Sequence, residues 1–114
     1  MEFIEDADYL GIIGRRPPEN DDRGPAQIGL LVRSNRGRDS GRYYLVVGVE
    51  NETIVRVADG EGRRVEIPKR KNIRHLRSCH VIAGEVYDKA LDGKRVTNAD
   101  VRKELKSLVE KLKE

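Results

Sequence analysis

The chain has 114 residues, enough for one small domain with short appendages, and its charged fraction (38%) exceeds its apolar fraction (37%). Its formal charge of +3 is unevenly spread: residues 1–26 carry a net −4, residues 27–80 a net +6 and residues 81–114 a net +1. No apolar run approaches the roughly 18 residues that span a bilayer, and the one cysteine, Cys79, excludes an intrachain disulfide or a multi-cysteine zinc site.

Residues 1–27 read as a flexible acidic arm. Glu2, Glu5 and Asp6 give its start the wrong charge for a secretion signal. The run from Gly14 to Pro25 collects proline, glycine and acidic residues that break periodic structure.

Strand-like patterning begins at Ile28. Gly29 to Arg33 forms a first short strand with Val32 inward. Arg42 to Glu50 is rich in β-branched and aromatic residues and is apolar on both faces, as expected of a strand buried on both sides. Thr53 to Ala58 is a third strand, followed by the glycine-rich hairpin loop Asp59-Gly60-Glu61-Gly62. Arg63 to Pro68 alternates, which predicts a fourth strand with Val65 and Ile67 inward. Ile73 to Cys79 supplies a short fifth. Short strands at this spacing, with no long helix between them, predict a small antiparallel barrel over residues 28–80.

The tail, residues 81–114, changes period. A short helix is expected over 85–91, stopped by Gly93, and a longer one over about 98–113. Thr97 and Asp100 have capping-box spacing, and Val101, Leu105, Leu108, Val109 and Leu112 fall on one helical face. That face either packs on the barrel or binds a partner.

The basic excess of residues 27–80 concentrates at two places. Arg33, Arg36, Arg38 and Arg42 surround one glycine-containing loop, and Lys69, Arg70, Lys71 and Arg74 follow Pro68. Guanidinium groups are planar forks suited to phosphate oxygens, so a polyanionic partner is expected. Asn72 and His75 are positioned to hydrogen-bond sugar or base edges. Enzymatic readings are weaker. Gly37-Arg38-Asp39-Ser40-Gly41 lacks the spacing and the strand–turn–helix setting of a nucleophile elbow. His75, Cys79 and His80 make a poor metal site. No phosphate loop or dinucleotide fingerprint is present, so neither catalysis nor a cofactor or metal is expected.

The segment Gly29 to Val49, with Gly29, Val32, Gly37, Gly41 and Val47 at its key places, resembles the KOW motif of ribosomal proteins and transcription elongation factors. Ser40 departs from it, standing where the pattern carries a basic residue. Ala58-Asp59-Gly60, Arg63 to Asn72 and Arg74-His75-Leu76 extend the likeness to bacterial single-KOW proteins, related to archaeal and eukaryotic large-subunit ribosomal proteins. The resemblance implies a mainly β fold, an SH3-like antiparallel β-barrel of the KOW class with a C-terminal α-helical tail. It also implies a ribosomal or ribosome-associated RNA-binding protein acting in translation. The partner is then RNA, above all ribosomal RNA, with Arg33, Arg36, Arg38, Arg42, Lys69, Arg70, Lys71, Asn72, Arg74 and His75 as the contacts. Ribosomal or transcription proteins are further partners; a monomer in a reducing cytoplasm, away from membranes, is the expected setting. The competing reading is a protein-interaction module in transcription or translation, using the barrel and the apolar face of the last helix.

Overall fold

The computed structural model describes residues 26–113, so all of the expected arm except Ala26 and Gln27 lies outside the described residues. Five strands, β1 (Leu30–Ser34), β2 (Tyr43–Val49), β3 (Ile54–Ala58), β4 (Lys69–Asn72) and β5 (Leu76–Ile82), are followed by helices α1 (Gly84–Leu91) and α2 (Asn98–Leu112). A 3-10 turn, Ile73–His75, joins β4 to β5. The sheet is antiparallel throughout, in the order β4-β3-β2-β1-β5. This is the expected mainly β, barrel-like fold with a C-terminal helix.

Strand alternation divides the apolar side chains into two layers. Leu30, Val32, Tyr44, Val46, Val55, Val57, Leu76 and Ile82 fill the inner layer of the curved sheet. Leu31, Leu45 and Val81 point the other way and are covered by Val86 of α1 and by Val101 and Leu108 of α2. β1 and β2 are therefore buried on both faces, which explains their continuous apolar runs. Of the stripe on α2, Val101 and Leu108 are buried against the sheet, Leu105 and Val109 are half-buried, and Leu112 is exposed. Thr97 caps α2 as its sequence predicts: Thr97 Oγ1 accepts the Asp100 N–H (3.1 Å), and Asp100 Oδ2 accepts the Thr97 N–H (3.0 Å). Lys89 of α1 donates to the same carboxylate (2.8 Å) and ties the two helices together. Among the described residues, no helix is long and apolar enough to cross a membrane.

The stretch Arg63–Pro68 is a correction. It forms turns rather than a strand, Ile67 is 77% exposed and Val65 is only half-buried. The cause lies far along the chain. Asn98, at the start of α2, accepts the Val65 N–H through Oδ1 (2.8 Å) and donates through Nδ2 to Glu66 (2.8 Å), while Arg102 donates to the Gly60 carbonyl (2.8 Å). These bonds draw the segment onto the helix, and strand pairing resumes only after Pro68. The fifth strand also starts late, because Ile73–His75 is taken by the 3-10 turn. Within β5, His80 adopts a left-handed φ of 61° in a bulge where Ser78 to Ile82 face Val32 to Leu30.

Candidate nucleic-acid interface

The loop between β1 and β2 turns on two glycines. Gly37 and Gly41 have φ of 89° and 93°, a region that side-chain-bearing residues rarely adopt. Short backbone bonds close the loop: the Gly41 N–H donates to the Ser34 carbonyl (2.7 Å) and the Arg42 N–H to the Asp39 carbonyl (2.9 Å).

Between these glycines the side chain of Asp39 turns inward and is buried. Its Oδ1 accepts from Ser34 Oγ (2.8 Å) and from Lys71 Nζ (3.1 Å). Its Oδ2 accepts from the Tyr44 hydroxyl (2.9 Å) and from Lys69 Nζ (3.0 Å). Lys71 also donates to Ser34 Oγ (3.0 Å) and to the Arg36 carbonyl (3.1 Å), which fixes the near side of the loop. The pleat of β4 aims both lysines here. Lys69 pairs with Val57 and Lys71 with Val55, so the ammonium groups rise on the same face as the core valines. Burial alone would raise the Asp39 carboxyl, but hydrogen bonds from Lys69, Ser34, Lys71 and Tyr44 override it and hold the group well below the usual carboxylate range. The Tyr44 hydroxyl, buried and bonded to that carboxylate, is pushed up to about 12.

The network brings the two predicted basic clusters together but gives their members different environments. Arg36, Arg38 and Arg42 stand exposed on the anchored loop. Arg74 is also exposed, on the 3-10 turn, which abuts the loop where the Asn35 N–H donates to the His75 carbonyl (2.9 Å). Arg33 is exposed on the outer face of β1, its guanidinium 5.7 Å from the Tyr43 ring centroid. Lys71 is a correction: expected among the RNA contacts, it is 8% exposed on β4 with its ammonium on Asp39. Lys69 is partly exposed and held by Asp39, while Arg70 points outward and makes a two-pronged pair with Glu50 (2.9 and 3.0 Å). Asn72 Oδ1 accepts the Arg74 N–H (2.9 Å) and so caps the 3-10 turn. His75 is half-buried.

Sequence reasoning missed Asp39 as the organiser. The signal was a lone acid between two glycines in an otherwise basic loop, matched by two lysines at alternate positions. It also missed Arg77, which is exposed and lies directly opposite Arg33.

No protein-family model matches the chain. It is 38% identical over 71 residues to a protein of Bacillus subtilis (strain 168) named "Putative ribosome-binding protein YbzG"; the alignment covers 62% of this chain and 96% of that protein.

Proposed function

From the premise that the chain belongs to the family of that Bacillus protein, we propose that it associates with the ribosome by binding structured RNA through the loop between β1 and β2 and the adjoining 3-10 turn. The observation that carries this reading is the Asp39 network. It engages both inward lysines on one carboxylate and fixes the loop backbone, and it leaves Arg36, Arg38, Arg42 and Arg74 exposed. Forked donors on an ordered backbone suit phosphate oxygens along an RNA helix, whose recognition depends more on shape and backbone than on base sequence. The likeness to the KOW motif supports the same reading, with ribosomal RNA as the ligand. The protein then acts by binding, as a monomer in the cytoplasm, without a cofactor or a catalysed reaction. The test is the salt dependence of affinity for a ribosomal RNA hairpin. Neutralising about four phosphates gives a slope of log affinity on log salt of roughly −3.5. A slope near zero removes the proposal.

One observation favours a protein contact instead. Ala26, Ile28, Val49, Thr53 and Ile73 line a shallow groove, and Val49 is 38% exposed. If a ribosomal protein is the partner, Val49→Asp abolishes ribosome association and leaves RNA affinity intact.

A further inference from the structure

The outer face of the sheet carries a second set of cations that the loop does not use. Tyr43 of β2, Arg33 of β1 and Arg77 of β5 face one another in register, so the three side chains form one row across the sheet. Like charges directly opposite on neighbouring strands repel. The sheet holds another such pair, Arg56 opposite Arg70, and there the carboxylate of Glu50 binds Arg70. Arg33 and Arg77 are both exposed, and no carboxylate among the described residues pairs with either. Arg33 and Arg77 are thus two exposed arginines at opposed positions of neighbouring strands, the Arg33 guanidinium lying over the Tyr43 ring, with no carboxylate on either among the described residues.

Tyr43 links this row to a groove. Its half-buried ring, with Leu105 and Val109 of α2, lines a cleft whose lip on the helix carries Lys103 and Lys106. Asp59 and Glu61 line the other side, an acidic lip that disfavours a second phosphate. The row is also continuous with the loop: a Cβ placed on Gly41 would lie 3.8 Å from Arg33 Nη2.

We infer that this face is a second RNA contact, in which Arg33 and Arg77 together grip one phosphodiester and Tyr43 stacks the adjoining unpaired base over the cleft. The inference rests on the proposed RNA-binding function and adds a ligand class to it: a single-stranded nucleotide flanking the helix that the loop holds. Aromatic and guanidinium faces both stack on bases, and such stacking tolerates any sequence.

The experiment compares affinity of the full chain for a blunt RNA hairpin and for the same hairpin with a short single-stranded extension. The parent binds the extended RNA about tenfold more tightly, the size expected for stacking of one base. Arg77→Gln and Tyr43→Leu abolish that advantage and leave binding of the blunt hairpin unchanged, while Tyr43→Phe retains it. Because it relieves repulsion, Arg77→Gln melts at the same temperature as the parent or higher. Equal affinity of the parent for the two RNAs, or a full advantage in Arg77→Gln and Tyr43→Leu, overturns the outer-face contact and leaves the loop reading standing. A lower melting temperature in Arg77→Gln also overturns it, by showing that Arg77 serves the fold. Failure of the parent to bind the blunt hairpin in a salt-dependent way overturns the loop reading itself, and this one with it.

Discussion

Arg36 and Arg38 stand in solvent on the β1–β2 loop, whereas Lys69 and Lys71, on the strand that faces it, end on one buried carboxylate. The two sets lie side by side and are equally basic in sequence. The loop residues stay unpaired among the described residues because the glycine turns direct only Asp39 inward. The strand lysines are drawn onto that one carboxylate, because alternation on β4 commits every second side chain to the core face. The chemistry fits the division. An ammonium is a compact point charge that shares a carboxylate well, and a guanidinium is a fork matched to phosphate. The number of basic residues near a site therefore measures its usable charge poorly.

The largest effect that breaks this comparison comes from Asp39→Ala. It leaves Lys71 buried without its partner and frees the loop, which costs on the order of 3 kcal/mol of stability by urea denaturation. The double variant Asp39→Ala with Lys71→Met recovers part of that loss. If Asp39→Ala is as stable as the parent, the network does not hold the loop.

Acid titration sharpens the same point. The Asp39 carboxyl is depressed in the folded state from its ordinary value of 3.8, so its contribution to stability is complete above that pH. The contribution is lost as pH falls below 3.8 toward the folded value. Urea midpoints of the parent therefore drop steeply below pH 3.8, and those of Asp39→Asn change less over the same interval.

On the loop side the expected effect lies in binding. Arg38→Ala or Arg36→Ala changes stability by no more than about 0.5 kcal/mol. Each flattens the salt slope of RNA affinity by nearly one unit. Lys71→Ala shows the reverse pattern, a measurable loss of stability with the slope unchanged in the folded fraction. The smallest effect is assigned to Arg70→Ala, which removes an exposed pair with Glu50. Its melting temperature and salt slope match the parent's; a slope change as large as that of Arg38→Ala would return Arg70 to the interface.

Much of the architecture was legible because its signals are local. Arg42 to Glu50 announced a strand buried on both faces, observed at Tyr43–Val49, Thr97 and Asp100 announced the start of α2, and Gly37 and Gly41 announced the turns. β4 was not legible. Its residues Lys69, Arg70, Lys71 and Asn72 carry no apolar pattern, since the inward positions face a carboxylate contributed by another loop. The misleading alternation at Arg63–Ile67 has the same kind of cause. Asn98, 33 residues from Val65, takes the backbone group that a ladder would have used. The candidate contacts on the loop were readable from composition and glycine spacing. Asp39 and Arg77 were not, because their roles depend on which strands become neighbours.

That neighbour relation has a kinetic side. β1 comes first among the described strands yet sits inside the sheet, with β2 on one edge and β5 on the other, Leu30 facing Ile82 and Ser34 facing Leu76. Pairing β1 with β2 is a short-range event, but its other edge stays bare until β5 is in place. A bare strand edge bearing Leu30 and Leu31 is a template for pairing with another chain. Closure over so long a loop is slow, although lengthening the loop costs little at equilibrium, about 0.6 kcal/mol per doubling. Insertions in the exposed loop at Glu61-Gly62 will therefore barely move the melting point. They will lower the yield of refolding as protein concentration rises, because they prolong the interval in which that edge is open.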